Sequence, residues 1–225
     1  MFAKLFNGWL GEKMVQFNFW LQLDEKVYQR CHNVIIPSAN GTTQIDHILV
    51  STYGIFVVET KNFNGWIFGN EHDAQWTQSF AGGNKFRFQN PLHQNYRHTK
   101  CLSEYLGLPH EVFRSVVFFI GECKIKTDLP PNVMTHGAAT HIKSYRQVLI
   151  PQTDIQGITQ KLRGAKSTQS YFSHLHSLTE RHESTTVCPK CGGTLVERTA
   201  RKGPNEGRTF LGCQKFPSCR YVKNL

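Results

Sequence analysis

The chain has 225 residues, 39% hydrophobic and 12% aromatic, enough for one sizeable core and a small appended module. No apolar run approaches the roughly 20 residues of a membrane span. Lys4, Glu12 and Lys13 break up the apolar start, so no signal peptide and no membrane association are expected, and the chain reads as cytoplasmic. The formal charge is +10, unevenly spread: residues 181–225 hold nine Lys/Arg against three Asp/Glu, and the first 180 hold 17 against 13. The tail therefore carries more than half of the excess, which favours a polyanionic partner over a merely solubilising surface.

In chain order, Met14, Phe17 and Leu21 mark one face of a first helix starting near Glu12. Residues 34–36, stopped by Pro37, read as a strand, and residues 44–51 and 54–61 as two more joined at Thr52-Tyr53. Residues 66–68 and 75–78 form a further hairpin. After Gly82-Gly83, Lys85 and Arg87 alternate with Phe86 and Phe88, which puts two cations on one strand face. They could track a phosphate backbone or solvate an edge strand. Asn90-Pro91 is a helix start, with Asn as cap and Pro in the first position. Leu92, Tyr96, Leu102 and Leu106 line that helix, and Gly107 with Pro109 ends it. The continuous apolar run at 116–120 is a buried strand. The histidines, His93, His98, His174 and His176 among them, lack ligand spacing and read as surface residues.

Serines and threonines accumulate among histidines between about 164 and 187. The expected division is an α/β domain over residues 1–164, a linker over 165–187 and a module over 188–225. Four of the seven cysteines fall in that module, while Cys31, Cys101 and Cys123 are scattered. That is a metal pattern in a reducing compartment rather than a disulfide framework.

The strands 44–51 and 54–61 carry the chemistry. If their loop centres on Thr52-Tyr53, Ser51 faces Gly54, Val50 faces Ile55, and Asp46 falls opposite Glu59. Like charges facing across a ladder are destabilising, and such a pair is kept where a hard divalent ion binds between the acids. Lys61 projects from the face of Glu59, because strand side chains alternate with period two. Two acids and an ammonium suit metal-assisted phosphodiester hydrolysis, with magnesium or manganese on Asp46 and Glu59 and Lys61 at the developing charge. The carbonyl of Thr60 is a further candidate ligand. A plain salt bridge from Lys61 to either acid is the competing reading, and a bulge at Gly54 would undo the register.

Residues 44–69, "QIDHILVSTYGIFVVETKNFNGWIFG", resemble the NERD (nuclease-related) domain of the PD-(D/E)XK superfamily, and the likeness covers residues 8 to about 125. It implies a restriction-endonuclease-like mixed sheet flanked by helices, metal on Asp46 and Glu59, and Lys61 assisting water. It also implies a further acid at Glu12, which could equally be an acid interacting with a helix dipole, and a site-facing Gln94. The tyrosine that such relatives show four residues later is His98 here.

Cys188-Pro189-Lys190-Cys191 has the two-residue gap that presents two thiolates to one ion, and Cys213 and Cys219 supply the other half. Four thiolates make a closed, structural zinc site, which a module of about 40 residues needs for stability. Its "F-x-G-C-x-x-[FY]-P-x-C" half resembles the C-terminal zinc ribbons of bacterial type IA topoisomerases. That resemblance implies single-stranded DNA binding. Arg198, Arg201, Lys202, Arg208, Lys215 and Arg220 are available for phosphates, and Phe210, Phe216 and Tyr221 for stacking. Either Phe216 or Phe210 should be at least partly exposed. The resulting expectation is a metal-dependent deoxyribonuclease with a DNA-binding ribbon. Its alternatives are a non-catalytic nucleic-acid-binding protein and an adaptor whose ribbon binds protein.

Overall fold

The computed structural model describes residues 22–38, 41–168, 184–189, 193–203 and 205–224. The first helix expected near Glu12, and most of the linker, lie outside the described residues. The chain divides into two compact units, one drawn mainly from residues up to Thr168 and one mainly from those after it.

In the first unit the strands are β1 (Gln29–Ser38), β2 (Gly41–Ser51), β3 (Gly54–Asn62), β4 (Gly65–Phe68), β5 (Gln75–Ser79), β6 (Lys85–Gln89), β7 (Phe113–Ile120), β8 (Cys123–Ile125) and β9 (Val133–Met134). The helices are α1 (Pro91–Leu106), α2 (Ala138–Ser144) and α3 (Gln152–Thr168). The last runs four residues past the position 164 where the sequence places the boundary. Five strands form a mixed sheet in the order β1-β2-β3-β7-β9, with β2 antiparallel to β3 and β7 parallel to both β3 and β9.

Alternation sorts the buried side chains of this sheet onto two faces. Ile48, Val50, Ile55 and Val57 pack with Leu102 of α1 and with Ile155, Leu162 and Ala165 of α3. Ile45 joins the same cluster three residues before Ile48, so the alternation of β2 does not extend past the end of its ladder at His47. Leu49, Phe56, Val58 and Val116 pack with Ala138, Ala139 and Ile142 of α2. Helices therefore cover both faces of the sheet, in the arrangement the sequence resemblance implies. In β1, Cys31 shares a cluster with Val34 and Ile36, three and five residues on. Strict alternation forbids that, and left-handed Asn33 (φ 52°) resets it between them.

The β2–β3 turn is tight. Ser51 pairs with Gly54, whose φ of +128° and distance of 2.7 Å from an ideal Cβ to the Val112 carbonyl admit only glycine. No bulge intervenes, and the register runs unbroken to His47 opposite Val58.

A second sheet has the order β6-β5-β4-β8. The parallel pair β3–β7 runs to Asn62 opposite Ile120, bends, and resumes as the parallel pair β4–β8 from Gly65 opposite Cys123. One side of this sheet buries Ile67 and Trp76 against Phe119.

Asn90 caps α1 by accepting the Leu92 N–H at 2.9 Å, and left-handed Gly107 closes it, as the sequence signals predict. The buried stripe of α1 differs from the expected one. It is Pro91, Asn95, His98, Thr99 and Leu102, while Tyr96 is 56% exposed. Asn95 and His98 face inward because they have partners on the sheet, and Thr99 bonds the Tyr96 carbonyl and His110, as buried polar groups must.

The second unit contains β10 (Leu195–Thr199), β11 (Thr209–Cys213) and β12 (Val222–Asn224), an antiparallel three-stranded sheet. One face of it turns Leu195, Leu211 and Cys213 into a small core with Cys188 and Cys219. Among the described residues no helix is long and apolar enough to cross a membrane.

Candidate functional site

The β2–β3 ladder ends at His47 opposite Val58, and Asp46 and Glu59 are the next residues on the two strands. Each acid has its own partners there. Asp46 Oδ2 accepts the Thr60 backbone N–H at 3.0 Å and the Thr60 hydroxyl at 2.9 Å. Thr60 thus meets the cluster through its donors, holding Asp46 against β3.

Glu59 is buried, with 3% of its surface exposed. Lys61 Nζ donates to Glu59 Oε1 at 2.6 Å, so the two share a face of β3 as alternation requires. The same ammonium donates to Gln94 Oε1 at 3.0 Å, which brings α1 into the cluster. His98, one turn after Gln94, stands 3.3 Å from Glu59 Oε2 through its Nε2. In the tautomer protonated at Nε2 it donates to the carboxylate. Burial alone would raise the Glu59 carboxyl. The His98 hydrogen bond and the Lys61 charge outweigh it and hold the group below the usual carboxylate range.

Sequence reasoning placed His98 at the surface; the structure corrects this, since its exposure is 2%. Asn95 was missed altogether. It is fully buried, and its Nδ2 lies 2.8 Å from the Val57 carbonyl and 3.0 Å from that of Val116. One side chain thereby pins α1 across β3 and β7. The signal lay in the polar residues at i, i+3, i+4 within 91–102, which a search for apolar periodicity passes over.

The donor set is oxygen-rich, with two carboxylates against one ammonium. Its residual negative charge is of the kind a hard divalent ion favours, but among the described residues Asp46, Glu59 and His98 do not bring three ligand atoms within 4.8 Å of one another. Glu12 lies outside the described residues.

On the opposite face of β2, buried His47 meets His32 of β1, Nδ1 to Nδ1 at 2.8 Å. Only one of the two rings can carry the hydrogen between them. Burial first, and the neighbouring His32 second, push His47 down to about 3, while Glu59 opposes that shift.

In the second unit the Sγ atoms of Cys188, Cys213 and Cys219, all buried, lie within 4.8 Å of one another. The Cys188–Cys219 separation is 3.8 Å. Sulfurs at tetrahedral corners around a zinc with Zn–S of 2.3 Å stand about 3.8 Å apart, so the cluster suits structural zinc. Cys191 lies outside the described residues. Backbone bonds shape the two halves: Cys188 N–H donates to the Gly193 carbonyl at 2.7 Å, and Cys219 N–H to that of Lys215 at 3.0 Å.

The face of the ribbon sheet away from the cysteines carries Arg198 opposite Phe210, with Gly212 next on β11. An ideal Cβ at Gly212 would lie 3.1 Å from Arg198 Cδ and 3.3 Å from the Phe210 ring. The bare backbone at this position therefore lets both side chains lie across the strand. Phe210 and Val222 line both of two neighbouring grooves, of about 720 and 250 Å³. Lys202 and Arg208 line the larger groove, and Arg198 and Phe216 the smaller. Phe216 is 58% exposed, with the Arg198 guanidinium 5.8 Å from its ring centre, and Phe210 is half-buried. Arg201 is exposed in the β10–β11 loop, and Lys85 and Arg87 are exposed on the edge strand β6.

Comparison with known proteins follows this division. Residues 7–120 match the model of the nuclease-related domain, and residues 185–225 match that of the topoisomerase DNA-binding C4 zinc finger. An uncharacterized protein of Bacillus anthracis is 39% identical over 171 residues, 76% of this chain and 74% of that protein. The uncharacterized protein YrdD of Escherichia coli K12 is 50% identical over 38 residues, 17% of this chain and 18% of its own length. DNA topoisomerase 1 of Helicobacter pylori is 46% identical over 43 residues, 19% of this chain and 5% of that enzyme. No solved structure matches the chain. With half of its length matched by the family model and a relative aligned along most of both sequences, the chain belongs to the nuclease-related domain family.

Proposed function

We propose that the protein is a divalent-metal-dependent nuclease acting on DNA, with a nuclease domain over residues 1–164, a connection over 165–187 and a zinc ribbon over 188–225. The observation that supports the catalytic part is the cluster of Glu59 and Lys61 from β3 with Gln94 and His98 from α1, beside Thr60, which binds Asp46 of β2. Magnesium or manganese on Asp46 and Glu59, with Glu12 as a further acid, would polarise a phosphate and acidify a bound water. Lys61 offsets the charge that develops on the phosphate as the bond breaks. Gln94 holds the Lys61 ammonium in place, and His98 fixes the Glu59 carboxylate through its other oxygen.

In the ribbon, zinc on Cys188, Cys191, Cys213 and Cys219 supports the fold. Arg201, Lys202 and Arg208 bind phosphates, and Phe210 and Phe216 stack on single-stranded bases. The protein acts in the cytoplasm, where thiolates stay reduced.

A second reading draws on the same geometry. Lys61 satisfies Glu59, and Thr60 satisfies Asp46, so a purely structural cluster in a nucleic-acid-binding protein needs no metal. Labelled single- and double-stranded DNA incubated with magnesium or manganese separates the two. Cleavage that requires metal and disappears in Asp46→Asn supports the nuclease. No cleavage by the wild type with either ion supports the structural reading.

A further inference from the structure

The second sheet of the first unit has one buried side and one open side. Direct cross-strand partners share a side, so the register gives the composition of the open one. Lys124, Trp66, Ser79 and Lys85 form one row across the sheet, and Phe68, Thr77 and Arg87 form the next. Lys126 extends the second row. It lies two residues beyond Lys124, its N–H donates to the Ile67 carbonyl at 2.8 Å, and its ammonium stands 5.7 Å from the centre of the Trp66 ring. Trp66 is 37% and Phe68 39% exposed, and all four cations are exposed. The strand residues of this side include no acid. Ser79, buried among its neighbours, and half-buried Thr77 are short and leave the two aromatic rings standing between a cationic edge on β8 and another on β6.

We infer that this open face binds single-stranded DNA, with Trp66 and Phe68 stacking on unpaired bases and the two cationic edges holding the backbone. The inference rests on the reading of the protein as one that acts on DNA, and it adds a binding surface separate from the ribbon. Successive rows stand about 7 Å apart and the outer strands about 14 Å apart, so each ring can take its own base within one short segment. Aromatic faces are sequence-tolerant partners for unstacked bases, and flanking cations supply the phosphate term. Asp73 and Asp128 border the cleft beyond Phe68. They repel a polyanion from that end and favour a path across the strands, from one cationic edge to the other. The surface also lies close to the cluster along the chain. Lys61 precedes Trp66 by five residues, at most about 18 Å of extended backbone, so DNA seated here is delivered to Asp46, Glu59 and Lys61.

The test uses the full chain carrying Asp46→Asn, so that the probe survives, and single-stranded oligonucleotides with photoreactive 5-iododeoxyuridine. Peptide mapping after irradiation is expected to find crosslinks at Trp66 or Phe68 as well as in the ribbon. Replacing both aromatics with alanine should remove those crosslinks and weaken binding about fivefold or more. Tyr96→Ala, an exposed aromatic on α1, should do neither. Lys124→Gln with Lys126→Gln, at exposed positions that leave the buried side intact, should lower the slope of log affinity against log salt by about 1.4. Crosslinks confined to the ribbon, or unchanged affinity and slope in both sets of variants, would overturn the inference. So would crosslinking to duplex alone, or capture by anionic vesicles without any crosslink. The mapping needs no cleavage, so its failure leaves the nuclease reading standing. An inactive wild type that still crosslinks at β4 counts against the nuclease and not against this surface.

Discussion

The ribbon and the nuclease-related domain are held together by different means. Five residues form the ribbon's described core, and three of them are cysteines, which leaves Leu195 and Leu211 as its buried aliphatic side chains. One cluster of the domain alone gathers fifteen buried residues from β1, β2, β3, β7 and two helices, among other segments. Two leucines cannot offset the chain entropy of ordering about 40 residues. The domain can form by apolar burial. The ribbon needs its metal.

The largest expected effect follows from that contrast. Structural zinc contributes on the order of 10 kcal/mol to modules of this size. Cys213→Ser should therefore release the ion and unfold residues 188–219, while the domain's thermal transition stays where it was. Metal analysis, limited proteolysis and a melt read all three quantities. A tail that remains protease-resistant after chelation would break the comparison.

The same contrast explains what could be read from the sequence. Ribbon ligands are named by spacing, since a two-residue gap and a Cys-x₅-Cys half need no knowledge of distant contacts. The β2–β3 register from Ser51–Gly54 to His47–Val58 was equally legible, because a two-residue connection fixes the facing pairs along the ladder. The α1 stripe was not. Asn95 and His98 are inward because Val57, Val116 and Glu59 await them, and those partners lie more than 20 residues away in sequence. Polar burial is specified by the partner, which local periodicity does not reveal. The choice between Phe210 and Phe216 also needed the sheet: alternation half-buries the first on β11, and the turn at 214–218 lifts the second into solvent.

A second prediction asks whether the domain's own cluster follows the ribbon's rule or the core's. If burial holds the domain, removing magnesium leaves its melt unchanged and abolishes only cleavage. Asp46→Asn should then remain folded and inactive. Lys61→Ala should also fold, because His98 still serves the buried Glu59, and should lose about 10²- to 10³-fold in rate with metal affinity nearly unchanged. If the cluster is structural, Lys61→Ala lowers the melting temperature by several degrees with or without magnesium. Melts beside a cleavage assay separate the patterns, and wild-type cleavage by both variants would sink the site as assigned.

The smallest effect sharpens the core-held half of the comparison through pH. His47 is buried as a neutral ring, facing His32 on β1 and feeling Glu59 on β3, with its value lowered from 6.5 to about 3. As pH falls below 6.5 the unfolded chain takes up the proton and the folded one does not. The stability gained by burying the neutral ring is thus complete above pH 6.5 and lost as pH drops toward 3. The loss is about 1.4 kcal/mol for each full pH unit below that point. Going from pH 6.5 to 5.5, where the unfolded ring is only partly protonated at first, it amounts to roughly 1 kcal/mol. Denaturant midpoints of the domain transition, followed by tryptophan fluorescence at several pH values, measure it. His47→Asn keeps a polar side chain facing His32 but cannot titrate, so its midpoint should fall less steeply over the same range. Glu59, with its value held below the usual range, acts at lower pH, because its contribution is present above the unfolded carboxylate value and fades only as pH falls through the folded one. Identical pH slopes in wild type and His47→Asn between 6.5 and 5.5 would show that the ring is charged within the fold, and the packing of this face of β2 would have to be redrawn.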